Sequence, residues 1–334
     1  MFPEWTWIVG LMLGATIGSF LNVVIYRVPR DLSLSKPAHS YCPSCEHPLS
    51  FFPDMVPLLS WIFMRGKCRY CQAKIPPRYF FVELVNGILW AGIWYQFMCV
   101  GQDWVKAIAY MLAAGTLVAV AWIDWESYTI PDALNVALLV IGIGFHAING
   151  TIMTAIWGAL LGWGLIFGIG LLGRLLFGKD AMGEGDVLLM RGVGALVGIW
   201  PLVVAIMIAV FAGAVHGITM IVLDKMGKLG SPKVEEGGEE AMIPAQPIGE
   251  MLFVGILMLL CVDVFALFFP PVARWLQKAM PEAASLSDEE WTPPSIRYIP
   301  FGPFLALGTV VVLVFEPWVL GQIDAYLSQF SAKP

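Results

Sequence analysis

The chain has 334 residues, of which 58% are hydrophobic and only 13% are charged, and its formal net charge is −6. Soluble domains carry about 25% charged residues, so this composition argues against a water-soluble globule and against a disordered chain. Nucleic-acid binding needs a basic surface, which a net negative chain does not favour. The composition predicts a polytopic membrane protein.

Apolar stretches recur along the chain, and a transmembrane helix needs about 20 such residues. The first stretch lacks the basic start and the cleavage site of a removable signal peptide. Its Gly10, Gly14 and Gly18 share one face, which predicts close packing against another helix. The sequence predicts an all-α polytopic membrane protein of about eight transmembrane helices, among the candidate stretches 5–26, 80–100, 105–123, 133–148, 151–173, 187–199, 201–223, 251–270 and 302–320.

Basic residues set the expected orientation. Eight of the 19 lysines and arginines lie between Arg27 and Arg78, and loops rich in these residues stay in the cytoplasm. The N-terminus is therefore predicted to be periplasmic, and residues 124–132, 174–186 and 224–250 to be cytoplasmic. The stretch 251–270 contains Asp263 and ends in two prolines, so it either crosses the membrane or lies at its surface. Its flanks, 224–249 and 274–300, have the composition of linkers.

Four of the six cysteines form two C-x2-C pairs, Cys42 with Cys45 and Cys68 with Cys71. Two such pairs can complete a tetrahedral zinc site, and a site with four protein ligands is normally structural. Metal binding would then supply part of the folding energy of the small cytoplasmic loop. A redox pair or plain buried thiols is the alternative. His39 and His47 are interpreted as bystanders, and Cys99 and Cys261 as core residues.

Carboxylates at the ends of apolar helices are costly and are candidates for function. Asp124 ends one such helix, and Asp186 closes the run Gly183-Glu184-Gly185-Asp186 before another, at the same predicted membrane face. Two adjacent carboxyls can share one proton, so that one activates water and the other polarises a peptide carbonyl. Gly183 and Gly185 would let a substrate strand approach. One alternative is a proton-coupled carrier that uses the same carboxyls. The other is that Asp124 and Asp132 are solvated loop residues or helix caps.

Several blocks in order resemble the bacterial type IV prepilin peptidase family. They are the run from Gly18 to Pro29, the cysteine pairs around Pro57–Trp61, Val82-Glu83-Leu84, Asp124 with Ile130-Pro131-Asp132, the Gly183–Asp186 block, and Pro300–Ala306. The likeness covers residues from about 18 to 200 and from 299 to about 315. Each block is weak alone, but the ordered set is very specific.

The resemblance implies an integral inner-membrane aspartic protease of the GxGD type, with Asp124 and Asp186 as its catalytic pair. Such enzymes cleave the basic leader of type IV prepilins or type II secretion pseudopilins at the cytoplasmic face. Many also methylate the new N-terminal amine with S-adenosylmethionine. The four cysteines would hold zinc, and the expected partners are these substrates and membrane lipids, without nucleic acid. Glu83 either positions the substrate amine or is a solvated helix-end residue.

Three departures from the family pattern matter. Leu188 stands where a lysine is usual, with Arg191 a candidate replacement for its charge. The run Asp54-Met55-Val56-Pro57 replaces the usual Asp-Asn-Ile-Pro, which bears on the methyltransferase. Residues 224–299 form a long insertion, and the family pattern favours a non-crossing 251–270. A membrane transporter and a non-catalytic assembly protein remain alternatives.

The predicted organisation has five parts: a first transmembrane helix (1–26), a cytoplasmic zinc-binding loop domain (27–79), a transmembrane protease core (80–223), an insertion (224–300), and a last transmembrane helix with the C-terminus (301–334).

Overall fold

The computed structural model describes residues 2–36, 39–42, 44–178, 182–226, 248–279 and 299–331. Within these ranges the chain is helical, and the only extended pairing is two isolated bridges, Tyr41 with Pro48 and Lys67 with Lys74. The helices are α1 Trp7–Arg27, α2 Phe51–Asp54, α3 Leu59–Phe63, α4 Arg78–Ile93, α5 Trp104–Ser127, α6 Asp132–Ile148, α7 Ile152–Phe177, α8 Glu184–Val197, α9 Ile199–Lys225, α10 Ile248–Leu259, α11 Val262–Phe268, α12 Pro270–Ala279 and α13 Gly302–Ser331.

Among the described residues, five helices are long and apolar enough to cross a membrane: Glu4–Arg30, Trp104–Ser127, Ile152–Leu176, Ile199–Lys225 and Gly302–Ser328. The all-α membrane fold is therefore confirmed. Of the other predicted stretches, 80–100 is α4 continued by the π-helical turn Trp94–Val100, and 133–148 is the 17-residue α6. The stretch 187–199 corresponds to most of the 14-residue α8 and ends at the first residue of α9. The count of about eight spans stays a prediction.

The glycine face of α1 packs directly on α4, as its spacing predicts. A Cβ atom at Gly10 would lie 2.7 Å from Cβ of Trp94, and one at Gly14 would lie 2.6 Å from Cβ of Trp90. At Gly18 a Cβ would lie 2.7 Å from Cα of Glu83. The helix backbones approach this closely because the glycines have no side chain at the contact.

Helix α8 is the buried centre of the second half of the chain, with every residue from Asp186 to Val197 buried. Its backbone contacts α7 through glycines, because a Cβ at Gly158 would lie 2.0 Å from the carbonyl oxygen of Gly194. A Cβ at Gly192 would lie 2.9 Å from Cβ of Leu138 on α6. Helices on several sides thus shield a helix that is too short to cross a bilayer by itself.

The apolar stretch of the insertion is broken. Helices α10 and α11 have 12 and 7 residues, and Cys261 between them has a left-handed φ of +56°. At about 1.5 Å per residue, neither helix reaches across a bilayer core of about 30 Å. The guanidinium of Arg191 on α8 forms a two-pronged ion pair with Asp263 on α11, at 2.5 and 3.1 Å, and donates to the carbonyl of Met258.

The predicted linkers 224–249 and 274–300 lie mostly outside the described residues. The part of the second linker up to Ala279 is helical as the end of α12, so the linker prediction is wrong there. Pro270 and Pro271 suit the first turn of a helix, and the alanine, leucine, glutamine and lysine that follow favour its continuation.

We expect Gly14→Ala to destabilise the protein by about 1–3 kcal/mol, because the added methyl overpacks the α1–α4 contact. Gly168→Ala is the matched control, since a Cβ there meets nothing within 4 Å. Thermal unfolding in detergent, followed by tryptophan fluorescence, measures the difference. Equal stability of the two variants would contradict the close α1–α4 contact.

Candidate active site

Asp124 lies in the last turn of α5, where the helix ends at the left-handed residue Tyr128. The side chain is only 6% exposed, and its Oδ2 accepts a hydrogen bond of 3.0 Å from the backbone N–H of Gly302. Gly302 is the first residue of α13, so its N–H has no partner within the helix and is available to the carboxylate. The contact leaves no room for a side chain, because a Cβ at Gly302 would lie 2.5 Å from Asp124 Oδ2.

Asp186 lies in the first turn of α8, with Gly183 as the residue before the helix. Its backbone N–H donates to the carbonyl of Gly183 at 3.2 Å, and its side chain is 8% exposed. The side-chain Oδ1 is buried and has no hydrogen-bond partner among the described residues. The carboxyl of Asp186 is close enough to that of Asp124 for the two to repel each other electrostatically. The two predicted carboxylates therefore lie near each other.

Ile130 and Asn135 hold the two aspartate segments together. A Cβ at Gly185 would lie 2.9 Å from Cβ of Ile130, and one at Gly302 would lie 3.1 Å from Cδ1 of Ile130. Asn135, fully buried on α6, donates from Nδ2 to the carbonyl of Gly185 at 3.4 Å. Ile130, which follows Asp124 in the chain, thus packs between Gly185, next to Asp186, and Gly302, which contacts Asp124.

An apolar cavity of about 210 Å³ opens beside the Gly183–Asp186 run. Its walls come from α7, from the start of α8 and from α10 of the insertion, and they include Phe167, Met182, Val187, Met251 and Met258. Because Gly183 and Glu184 also line it, the cavity adjoins the segment that carries Asp186. The structure can therefore place an apolar group beside the backbone that leads into Asp186.

The other nearby charges are already engaged. Glu126 forms an ion pair of 2.6 Å with Arg78, which joins the end of α5 to the start of α4. Asp132 is the first residue of α6 and interacts electrostatically with Asp263 and Arg191. Arg191 is held by the insertion, and Leu188 is packed in the main core. Arg191 is therefore not shown to take the place of the usual lysine.

Two histidines in apolar helices, His146 and His216, are packed against neighbouring side chains. The ring of His146 contacts Thr151 Oγ1 at 2.7 Å and the carbonyl oxygen of Leu196 at 3.1 Å. His216 lies between the rings of Trp125 and Phe304, at 5.8 and 5.4 Å between centroids. In the described part of the chain, these contacts of the two histidines include no serine hydroxyl.

Comparison with known proteins agrees with this arrangement. The model of the bacterial peptidase A24 N-terminal domain matches residues 12–97, and that of the type IV leader peptidase family matches residues 111–218. A prepilin leader peptidase/N-methyltransferase of Myxococcus xanthus is 33% identical over 324 residues, covering 94% of this chain and 91% of that protein. The chain belongs to the type IV leader peptidase family.

Proteins of the same name from Stutzerimonas stutzeri and Neisseria gonorrhoeae are 35% and 33% identical. Their alignments cover 64% and 63% of this chain, and 81% and 80% of the relatives. The Myxococcus protein aligns with most of the chain, so at least one relative is matched across the insertion as well. No solved structure gives a significant match.

In this member of the family, Glu83 links the loop domain to the membrane helices. Its carboxylate accepts a hydrogen bond of 2.7 Å from the backbone N–H of Leu58, and it also bonds to Ser19 on α1. Leu58 has a positive φ of 63°, an unusual conformation for a leucine. Glu83 is 8% exposed, so it is not a solvated helix-end residue. A role in positioning a substrate amine stays a prediction.

The four predicted zinc ligands form one cluster. Their sulfur atoms all lie within 4.8 Å of one another, and Sγ of Cys42 and Sγ of Cys71 are 3.8 Å apart. Tetrahedral zinc with Zn–S bonds of about 2.3 Å needs sulfur atoms about 3.8 Å apart. His39 and His47 are outside the cluster, and His47 stacks on Tyr70.

The two cysteine pairs have the same backbone structure. The N–H of Cys42 donates to the carbonyl of His47, as that of Cys68 does to Ala73. Although burial acts in the opposite direction, hydrogen bonds from the backbone of Ser44 and Cys45 lower the pKa of the Cys42 thiol to about 7. The backbone hydrogen bond from His47 acts in the same direction at Cys45, but burial and the neighbouring thiols of Cys71 and Cys42 raise the pKa of the Cys45 thiol to about 12. A bound cation would relieve this repulsion between neighbouring thiolates.

Gly302 and Asn135 are the site residues that the sequence analysis missed. Gly302 lies far from Asp124 along the chain, and only its place before Pro303 at the start of an apolar run hinted at a special backbone. Asn135 is a polar residue at a core position of an apolar helix, which is a usable signal because buried amides need partners.

We expect the purified protein to contain about one zinc ion per chain, and Cys68→Ser to lose most of it, because three thiolates bind zinc far more weakly than four. Cys99→Ser is the control, since Cys99 lies in the apolar core. Elemental analysis by mass spectrometry gives the zinc content. Full zinc retention in Cys68→Ser would refute the four-cysteine site.

Proposed function

We propose that this protein is a membrane aspartic endopeptidase that removes the basic leader of type IV prepilins or type II secretion pseudopilins, and that it methylates the new N-terminus. The burial of the Asp124 and Asp186 carboxyls near each other, with Ile130 packed against the glycines beside both, supports the proposal. Family membership and the printed names of the relatives support the choice of substrate and the second activity.

The two aspartates divide the work of hydrolysis. One carboxylate takes a proton from a water molecule, and the other, protonated, hydrogen-bonds the scissile carbonyl as the water attacks. The proton then passes to the departing amide nitrogen. The N–H of Gly302 fixes the orientation of Asp124 by holding Oδ2, while Asp186 keeps a free Oδ1 for the reaction.

The substrate places its apolar helix in the bilayer and its basic leader in the cytoplasm. The apolar cavity beside Gly183 then receives a side chain that flanks the scissile bond. Glu126 contributes less attraction to the leader than its charge suggests, because Arg78 neutralises it. The proposal includes a location in the bacterial inner membrane, with a periplasmic N-terminus and the site at the cytoplasmic face, and the basic residues between Arg27 and Arg78 support this orientation.

Two non-peptide groups complete the proposal. The four cysteine thiolates hold zinc, which stabilises the cytoplasmic loop and takes no part in hydrolysis. S-adenosylmethionine supplies the methyl group for the new N-terminal amine. Lipids surround the exposed apolar faces of α7 and α9, and nucleic acid is not an expected partner.

We expect Asp124→Asn and Asp186→Asn each to lower leader cleavage by about 10³-fold or more, because an amide cannot transfer the proton. Asp103→Asn is the control, since Asp103 caps the far end of α5 and asparagine caps equally well. Gel analysis of a model prepilin incubated with purified protein in detergent measures cleavage. Full cleavage by either aspartate variant would exclude the dyad and leave the transporter or assembly alternatives.

We expect Gly302→Ala to lower the rate constant for cleavage by about 10-fold to 100-fold, because the added methyl collides with Asp124 Oδ2 and displaces the carboxyl. Gly321→Ala, on the same helix in open space, is the matched control. Steady-state kinetics on the prepilin separate kcat from KM. Unchanged kcat in Gly302→Ala would show that the Gly302 contact does not position Asp124.

A further inference from the structure

A second cavity, of about 240 Å³, lies between the loop domain and the cytoplasmic ends of α1 and α4. It is separate from the cavity beside Gly183 and shares no lining residue with it. The walls combine polar side chains with aromatic rings. The residues that matter here are Asn22, Asp54, Glu83, Tyr26, Tyr41 and Trp61.

Two wall residues carry buried oxygen atoms that have no donor among the described residues. Asn22 Oδ1 and Asp54 Oδ1 are both without a partner, and the two residues are only 2% and 7% exposed. Their other polar atoms are used: Asn22 Nδ2 donates to the carbonyl of Tyr79, and Asp54 Oδ2 accepts from Tyr70. Buried acceptors are nearly always paired, so these two oxygen atoms are suited to a ligand that brings its own hydrogen-bond donors.

The charged side chains and the aromatic rings of the cavity restrict the chemical class of its ligand. The carboxylates of Asp54 and Glu83 favour a cationic group with N–H donors. Arg27, Arg69 and Lys74, which also line the cavity, favour a carboxylate on the same ligand, as in the amino-acid part of S-adenosylmethionine. The rings of Tyr26, Tyr41 and Trp61 attract cations through their faces and can also stack on a flat heterocycle. S-adenosylmethionine combines all of these features, with a sulfonium, an ammonium and an adenine that bears an amino group.

We propose that this cavity binds S-adenosylmethionine for the methylation of the new N-terminus. The inference rests on the proposed function. In the reaction the free amine attacks the methyl carbon, a C–N bond forms, and the C–S bond breaks with its electron pair going to sulfur. The nitrogen then loses a proton to water, and S-adenosylhomocysteine leaves.

The cavity is on the same side of the molecule as the carboxyl pair. Arg78, at the start of α4, is ion-paired with Glu126, two residues after Asp124. Ile123, next to Asp124, packs in one cluster with Ile25 and Val82, which neighbour the cavity residues on α1 and α4. These contacts of Arg78 and Ile123 connect the elements that form the cavity to the end of α5 that carries Asp124.

The first test uses a variant whose larger side chain occupies the cavity. Val23 lines it, so Val23→Phe should lower the affinity for S-adenosylmethionine by at least about tenfold through steric exclusion. Val9→Phe is the matched control, because Val9 is on the outer face of the same helix and is 39% exposed. Isothermal titration of the purified full-length protein in detergent with S-adenosylmethionine measures binding without catalysis. Equal affinity of the two variants would overturn the proposal.

A second pair of variants tests the same site if Val23→Phe fails to fold. Asp54→Asn keeps the shape but removes the charge, and should weaken binding by about tenfold, whereas Asp31→Asn, an exposed site outside the cavity, should not. Prepilin cleavage, measured in parallel, should be unchanged in the two control variants, Val9→Phe and Asp31→Asn. Cleavage without S-adenosylmethionine binding by the wild type would refute this site alone. Binding without cleavage would refute the proposed protease and keep the site.

Discussion

The candidate site depends on the contact between the Asp124 carboxylate and the backbone N–H that begins α13. This hydrogen bond joins residues 178 positions apart, and it is possible only because Gly302 has no side chain to separate them. Ile130 packs against both Gly302 and Gly185, so the same side chain positions the segment that carries Asp186. A pair of carboxyls that repel each other would separate if their backbones were free. Here the hydrogen bond from Gly302 and the packing of Ile130 oppose that separation.

The helical structure contains two candidate functional regions, each matched by one of the two family models. The first, matched by the N-terminal family model, combines α1, the cysteine loop and α4, which Glu83 links through Leu58. The second, matched by the leader peptidase model, contains both aspartates. Glycine contacts between α1 and α4, and between α7 and α8, give each region a closely packed support. Two reactions on one N-terminus, first hydrolysis and then methylation, agree with this division.

Short-range patterns predicted much of the structure. The spacing of Gly10, Gly14 and Gly18 predicted a helix contact, and the C-x2-C pairs predicted the sulfur cluster, because both depend on local geometry. The contact of Gly302 with Asp124 and the pairing of Arg191 with Asp263 join distant segments, which no local pattern encodes. The break at Cys261 was equally hidden, since hydropathy measures polarity and is insensitive to a single left-handed residue. The catalytic and zinc-binding roles themselves stay predictions until they are measured.

The most direct test of the central claim is a structure of the protein with a prepilin peptide whose scissile bond is replaced by a hydroxyethylene group. The hydroxyl imitates the tetrahedral centre formed when water attacks the carbonyl. We predict that it lies within hydrogen-bonding distance of both the Asp124 and the Asp186 carboxyls, with the adjoining apolar side chain in the cavity beside Gly183. A hydroxyl bound away from either aspartate would contradict the account.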